Sequence, residues 1–242
     1  RQCYRWSDLD FEANARDGFG VDWPIRYEDI APWYDHVEAF IGISGQAEGL
    51  EHWPDGNFLP PMELTCLERA VKERLRAKFP ERVLTIGRVA NLTRAHNGRG
   101  ECKNRDLCMR GCPYGAYFSS NSSTLPAASR TGNMTLRPHS IVASLIYDEQ
   151  RGKVTGVNVI DTETKQTSEY FARVVFLNAS TMATTAILLG TTSRRFPNGL
   201  GNDSGELGHN LMDHHFIVGA NGVSDDFGDR FYKGQRPNGI YI

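Results

Sequence analysis

The sequence has no long apolar run, almost no net charge and few cysteines, and each absence excludes a class of protein. Its apolar stretches, such as VVFLNA at residues 174–179, are far too short to span a bilayer. A formal net charge of -2 gives no electrostatic reason to expect nucleic acid as a partner. Five cysteines in 242 residues do not make a disulfide framework. The composition fits one large or two small globular domains.

Two helices are predicted in the first half of the chain. Apolar residues recur at helical spacing from Tyr27 to Ile41, and Gly42 follows as a stop signal. A second helix is predicted from Leu64 to Lys78, where an apolar face repeats until Pro80 ends it. The tryptophans of this half are expected to be core residues, so they are assigned no role in binding.

The second half of the chain is predicted to be mostly strands. From Asn133 onward, alternating and β-branched residues indicate a series of strands, with a hairpin turn at Arg151-Gly152. The segment Val174–Leu177 is apolar without alternation, which is typical of a strand buried on both faces. It leads into a helix with small residues at its front, ASTMATTAILLG. The predicted fold class is therefore mixed α/β.

Three cysteines lie close together in ECKNRDLCMRGCPYGAYF, residues 101–118. Cys102, Cys108 and Cys112 have the spacing C-x5-C-x3-C-P. Three thiolates on one loop repel each other unless something positive binds them, and iron–sulfur clusters are held by thiolates on loops that often end in C-x3-C-P. Gly111 leaves space beside such a group. Three ligands indicate a [3Fe-4S] cluster, or a four-iron cluster with one ligand that is not cysteine.

Two other interpretations of this loop stay open at the level of sequence. One is structural zinc bound by the three cysteines and His96, although neither spacing matches the usual C-x2-C or C-x4-C of zinc sites. The other is no metal at all, with the thiols packed or partly disulfide-bonded. The Asn-x-Ser/Thr sequences at Asn91, Asn121 and Asn133 are weak evidence of glycosylation.

Three separated stretches carry a resemblance that covers nearly the whole chain. They are the opening segment that ends in WPIRYEDIAPWYDHVEAFIGISG, the strand and helix VVFLNASTMATTAILLG, and the element LGHNLMDHH. In this order they resemble the glucose–methanol–choline (GMC) oxidoreductases. The resemblance implies an FAD-binding domain of the dinucleotide type joined to a substrate domain built on an antiparallel sheet, in an enzyme that oxidises a sugar or other alcohol.

Within this family, CKNRDLCMRGCPYG is similar to a bacterial subgroup of FAD-dependent sugar dehydrogenases. That similarity implies that Cys102, Cys108 and Cys112 hold a [3Fe-4S] cluster. The cluster would relay electrons from the flavin to an external acceptor, such as a cytochrome or a small subunit. The compartment, bacterial periplasm or cytoplasm, is left open.

The resemblance also implies FAD contacts, each of which has a simpler structural explanation. The implied contacts are Val142, Ala179, Ser180, Asn210, Asp213 and His214. Val142 also reads as an ordinary strand residue, Ser180 as a helix N-cap, and Asp213 with His214 as a capped turn or a solvated loop. Asn178 stands where the family usually has a small residue.

Two sequence features that the resemblance implies, the glycine motif for FAD and the catalytic pair, are not found in this sequence. No G-x-G-x-x-G follows a strand, and none of the seven histidines matches the family's catalytic pair, so no catalytic residue is assigned. We therefore expect an internal piece of a longer protein that is inactive alone. Residues 1–130 would hold a substrate-domain segment with the cysteine loop, 131–222 the β-rich returning half of the FAD domain, and 223–242 the start of the next substrate-domain strand.

Two further functional hypotheses are weighed against this one. The first keeps the family but drops the cluster, so that the chain is part of a GMC enzyme with structural cysteines. The second is a non-catalytic module that binds metal or transfers electrons. Iron analysis separates the first from the cluster hypothesis, and folding with bound metal but no flavin would support the second.

Overall fold

The computed structural model describes residues 2–212, 218–228 and 234–242. It contains helices and antiparallel sheets, which confirms the predicted mixed α/β fold. The chain divides into two compact units, one formed by Arg1–Met134 with Gly222–Ile242 and the other by Thr135–Asn221. In the described part of the chain, no helix is both long and apolar enough to cross a membrane.

The first unit is mainly helical, with one small sheet. The two-stranded sheet pairs β1 with β5 in antiparallel register, Thr85 opposite Tyr241 and Ile86 opposite Ile240. A single 3₁₀ turn at Cys108–Arg110 lies inside the cysteine loop. The elements of this unit are α1 (Asp8–Phe11), α2 (Ala13–Asp17), α3 (Tyr27–Ile41), α4 (Cys66–Lys78), β1 (Thr85–Ile86), α5 (Thr124–Arg130) and β5 (Ile240–Tyr241).

Helix α3 has the predicted bounds but packs through an unexpected face. Its one buried residue is Glu38, whose carboxylate accepts hydrogen bonds from the buried guanidinium of Arg5 at 3.0 and 2.6 Å. Trp33 and Val37, on the face predicted to pack, are 69% and 49% exposed. The expectation of core tryptophans is therefore wrong for Trp33, and also for Trp6 and Trp23, which are 47% and 43% exposed. The buried charge pair and the half-buried part of the apolar face, which includes Ile30 and Ile41, together hold this helix to its unit.

Helix α4 begins with local signals that the sequence contains. The side chain of Thr65 accepts a hydrogen bond from the Glu68 N–H, and the Glu68 carboxylate accepts one from the Thr65 N–H, which makes a capping box. The helix ends at Lys78, two residues before Pro80, as predicted. Arg236, from the end of the chain, binds the Glu68 carboxylate through two nitrogen atoms.

The core of the first unit lies directly beneath the cysteine loop. One cluster contains Leu59, Leu92 and Ala116, and a second contains Met62, Ile86 and Val89. Cys102 packs against both clusters, and Cys112 packs against the first. The loop that carries the cysteines therefore rests on close-packed apolar residues that limit its movement.

The second unit is an antiparallel sheet with one helix packed on it. Its strands pair in chain order, and the predicted hairpin is present, with Gly152 in the left-handed region at φ 64°. Thr191 links helix and sheet, because its hydroxyl accepts the Leu145 N–H at 2.9 Å and donates to Ile187 O at 2.7 Å. The elements are β2 (Ser140–Asp148), β3 (Lys153–Asp161), β4 (Thr167–Phe171) and α6 (Thr181–Leu189).

The predicted strand at Val174–Leu177 is wrong for this structure. The segment lies outside every strand of the described residues, and Val174 and Phe176 are 66% and 81% exposed. A strand buried on both faces needs paired neighbours and a covering layer on each side. Among the described residues the segment has no paired strand, so Val174 and Phe176 face solvent, while Val175 and Leu177 are half-buried.

Candidate functional site

Backbone hydrogen bonds hold the cysteine loop to the residues before and after it. The Cys102 N–H donates to Leu92 O at 2.8 Å, and the Leu92 N–H donates to Ala116 O at 3.0 Å. The Gly115 N–H donates to Cys112 O at 3.0 Å. Gly111 turns the chain between Cys108 and Cys112 at φ 96°, a conformation that favours glycine. The three cysteines therefore lie on one fixed and tightly turned loop.

All three cysteines line a single open recess, whose enclosed volume is only about 20 Å³ because it opens to solvent. Residues of the cysteine loop form most of the wall of this recess. Asn91, which precedes the loop in sequence, forms the rest. Each thiol is half-buried, neither in the core nor fully in solvent. The lining residues are Asn91, Cys102, Lys103, Arg105, Leu107, Cys108, Gly111, Cys112, Pro113 and Tyr114.

The surroundings shift two of the thiols in opposite directions. Burial, together with the neighbouring Cys102 and Cys112, raises the pKa of Cys108. Burial would also raise the pKa of Cys112, but hydrogen bonds from the backbone N–H groups of residues 114–117 outweigh burial, and the net pKa is lowered. Because thiolates are the form that binds metal, the loop favours the ligating form at Cys112.

The charges beside the recess suit an anionic group. Lys103 and Arg105 line it, and Lys103 is paired with Glu101. Hydrogen bonding by Glu101 raises the pKa of Lys103, so its ammonium group stays charged. A thiolate-ligated centre carries negative charge, which nearby cations stabilise. The Lys103 and Arg105 contribution was not expected from the sequence, although both residues lie within the quoted motif.

The structure gives no support to the zinc or disulfide interpretations. All five cysteines are free. His96 does not line the recess, and its Nε2 lies 2.8 Å from Ala39 O. Over the described residues, no group of three or more His, Cys, Asp and Glu side chains could hold a metal ion as placed. The Cys3His arrangement, which needs four donors about 2 Å from one point, is therefore not formed, and the three cysteine sulfurs are likewise not gathered around one ion as placed.

The residues expected to contact FAD lie in the second unit. Val142 is on β2, half-buried and paired with Val159 of β3, beside an irregularity in the register. Ala179 and Ser180 are exposed at the start of α6. Asn210 is exposed, at φ 59°, and its amide donates to Glu206 at 2.5 Å. Asp213 and His214 lie outside the described residues.

Ser180 has an unusual backbone conformation. Its φ of 71° and ψ of 166° lie in a region that essentially only glycine occupies, at a cost of about 1–3 kcal/mol for other residues. It stands at the N-cap of α6 but makes no side-chain capping hydrogen bond. The simpler explanation of Ser180, as a capping serine, is therefore not supported by the geometry. Small, exposed residues on a strained turn leave the backbone accessible to a ligand.

Comparison with known families gives one match that covers most of the chain. The model of the GMC oxidoreductase family matches residues 16–216. This chain belongs to the GMC oxidoreductase family. The resemblance stated from three separated stretches is thereby confirmed, and membership of the GMC family implies FAD as the cofactor.

Similar curated proteins are enzymes of the same family type. A 2-methyl-1,2-propanediol dehydrogenase of Mycolicibacterium austroafricanum is 31% identical over 88% of this chain. The fructose dehydrogenase large subunit of Gluconobacter japonicus is 26% identical over 87% of it, and a 6'''-hydroxyparomomycin C oxidase of Streptomyces lividus is 27% identical over 86%. In each case the match covers 38% of the relative's length.

One residue of the recess was missed by sequence reasoning. Asn91 was noted only as a weak glycosylation sequence, yet it is 1% exposed and cannot be a surface acceptor. Among the residues that the structure describes, neither its side-chain nitrogen nor its side-chain oxygen has a hydrogen-bond partner. The sequence offered no periodic or motif signal for this residue, because the segment around it is a loop brought to the cysteines by long-range contacts.

Proposed function

We propose that this chain is an internal part of an FAD-dependent GMC oxidoreductase that oxidises a sugar or other alcohol hydroxyl. Cys102, Cys108 and Cys112 would hold a [3Fe-4S] cluster, which supplies one-electron transfer to an external acceptor. The observation that carries the proposal is that three free thiols, spaced as in such clusters, line one recess. The assignment of residues 1–130, 131–222 and 223–242 to the substrate and FAD domains belongs to the same proposal.

The donor set of the recess fits a thiolate-bound cluster better than a single ion. A single zinc ion requires its ligand atoms about 2 Å away around one point, whereas a cluster has several irons and accepts more widely separated thiolates. Lowering of the Cys112 pKa and the positive side chains of Lys103 and Arg105 both favour a negatively charged centre. The apolar core beneath Cys102 shields one side of the recess from water.

The second unit supplies residues suited to FAD. Ala179 and Ser180 have small side chains on an exposed turn, so the backbone there can approach an adenosine closely, as glycines allow at dinucleotide turns. The strain at Ser180 is typical of positions kept for function. When bound, FAD accepts a hydride from the alcohol carbon while a base takes the hydroxyl proton, which leaves a carbonyl. That base would lie outside this chain.

The relatives support an alcohol or sugar substrate. Their names include a diol dehydrogenase and a fructose dehydrogenase large subunit, both of which act on hydroxyl groups. A dehydrogenase passes its electrons to an acceptor other than oxygen, which agrees with a one-electron relay. The same names make a non-catalytic module the weaker hypothesis.

The test is metal and sulfide analysis of the intact protein that carries this sequence, purified without oxygen. We expect about three irons and four acid-labile sulfides per chain, and an EPR signal of an oxidised three-iron cluster. Cys108→Ser should abolish the signal, whereas Cys66→Ser, on α4 and outside the recess, should keep it. Protein that contains FAD but no iron or sulfide would contradict the cluster proposal.

A second candidate keeps FAD and treats the cysteines as structural. The packing of Cys102 and Cys112 against Leu59, Leu92 and Ala116 favours it, because buried free thiols behave as small apolar side chains. Two of the relatives are named oxidases. In this case the intact protein would bind FAD and oxidise its substrate with no iron present, and Cys108→Ser would leave activity unchanged.

A further inference from the structure

Asn91 is a buried polar residue with no partner, at the wall of the recess. It is 1% exposed, and neither its Nδ2 nor its Oδ1 has a hydrogen bond within the described residues. Most buried polar side-chain atoms in proteins are paired, and leaving one unpaired costs about 1–3 kcal/mol. Because both atoms lack a partner, turning the amide over would not change the conclusion. Asn91 is one of the residues that line the recess together with the three cysteines.

The backbone fixes Asn91 between the two ends of the cysteine loop. It forms an antiparallel bridge with Tyr117, and on either side the Phe118 N–H donates to Ala90 O and the Leu92 N–H to Ala116 O, each at 3.0 Å. Leu92 O also accepts the N–H of Cys102. The residue is therefore held in register with the segments that carry the first and last cysteines, and its side chain has little freedom to turn elsewhere.

We propose that the side-chain amide of Asn91 donates a hydrogen bond to sulfur of the cluster bound in this recess and thereby raises the cluster's reduction potential. This inference rests on the proposed function. Thiolate and sulfide sulfurs accept hydrogen bonds, and such bonds stabilise the more negative, reduced state of a cluster. If the recess only packed thiols together, an apolar residue at position 91 would make the protein more stable, because a buried amide without a hydrogen bond lowers the stability of the fold.

Asn91 is thus a positioning residue that acts on the electron carrier and not on the substrate. The partner it lacks is supplied by the bound group, which explains why a buried asparagine stands between apolar neighbours in VANLT. The same hydrogen bond would hold one side of the cluster against the loop. Loss of the amide should change the potential more than the rate of substrate oxidation.

The experiment is an EPR-monitored redox titration of the intact protein and two variants. Asn91→Leu keeps the side-chain size but removes the donor, and we expect it to retain iron and to shift the ratio of reduced to oxidised cluster about tenfold at a fixed ambient potential. For one electron that shift equals about 59 mV, toward lower potential. Asn121→Leu, an exposed asparagine in the same unit, is the matched control and should leave the potential unchanged.

A second measurement needs no variant. In protein grown with ¹⁵N-labelled asparagine, pulsed EPR of the wild-type cluster should detect a ¹⁵N coupling and an exchangeable proton that D₂O removes. Full iron content with no such coupling, or Asn91→Leu with an unchanged potential, would overturn the role of Asn91 while leaving the cluster in place. Wild-type protein without iron and sulfide would instead overturn the proposed function, and this inference with it.

Discussion

At the scale of single residues, a buried ion pair between Arg5 and Glu38 places two charges in the interior of the first unit. Arg5 is 4% exposed, and its guanidinium donates to Glu38, Asp35 and the Tyr27 hydroxyl. Burial would lower the pKa of Arg5, but these hydrogen bonds raise it above its ordinary value. The arginine therefore stays charged, and its buried partner Glu38 is the group that compensates it.

Glu38→Gln should destabilise the protein by about 3 kcal/mol, because it leaves the Arg5 charge buried without its main partner. The measurement is the free energy of unfolding in urea. Asp35→Asn is the control, since Asp35 binds the same guanidinium at 2.5 Å but its side chain is 50% exposed. Exposed pairs contribute less than about 1 kcal/mol. Equal losses in the two variants would show that burial of Glu38 does not set the cost.

Ser180→Gly should stabilise the protein by about 1 kcal/mol. Relief of the backbone strain should raise the free energy of unfolding by about 1–3 kcal/mol. The greater conformational entropy of glycine in the unfolded chain should lower it by about 0.5–1 kcal/mol. Ser168→Gly is the control, because Ser168 lies within strand β4, where glycine costs about 0.5–1 kcal/mol. Thermal unfolding measures both. A destabilised Ser180→Gly variant would show that the serine side chain contributes more than the backbone strain costs.

At the scale of elements, local signals predicted helices and hairpins well, and long-range contacts were missed. The bounds of α3 and the turn at Arg151-Gly152 follow from caps and turn residues within a few positions. The Val174–Leu177 strand failed because pairing partners, which the segment's own residues cannot supply, decide whether a buried strand forms. Asn91 was missed for a similar reason, since its place in the recess depends on contacts with residues 102–117 that the residues next to it in sequence do not reveal.

The ion pair between Glu68 of helix α4 and Arg236 near the end of the chain should depend on pH. Burial would raise the pKa of Glu68, but hydrogen bonds from Arg236 and the Thr65 N–H lower it below its ordinary value. The pair therefore stabilises the fold above the unfolded pKa of about 4.3, and that contribution is lost as the pH falls through the lower pKa of the folded state.

Glu68→Gln should cost about 2 kcal/mol at pH 7, the value of charged hydrogen bonds that become neutral. The difference from wild type should shrink as the pH falls from about 5 to about 3, because the wild-type carboxylate then takes up a proton. Unfolding in urea at several pH values measures it. Glu73→Gln, exposed on the same helix, should show little loss at any pH. A Glu68→Gln deficit that is constant with pH would contradict this reasoning.

At the scale of the whole molecule, this GMC chain carries the cysteine recess in one unit and the turn that is proposed to approach FAD in the other. The chain spans 38% of the length of its curated relatives, and it has no glycine motif for the pyrophosphate of FAD. Large apolar side chains such as Trp33 and Phe176 are exposed on it, 69% and 81%, and a longer protein would cover them.

The 242-residue chain alone should therefore show no dehydrogenase turnover with a dye acceptor and little or no FAD binding, whereas the intact protein should show both. Without the pyrophosphate site, the chain should not hold FAD, which accepts the hydride. Without a base to take the hydroxyl proton, the activation barrier for oxidation of the alcohol is not lowered. We would measure turnover with sugars and small diols on both proteins at equal concentration. FAD binding is measured on the same samples by fluorescence titration. Circular dichroism checks that the short chain keeps its helices. Measurable turnover by the folded short chain would contradict the prediction and would place a base within these residues.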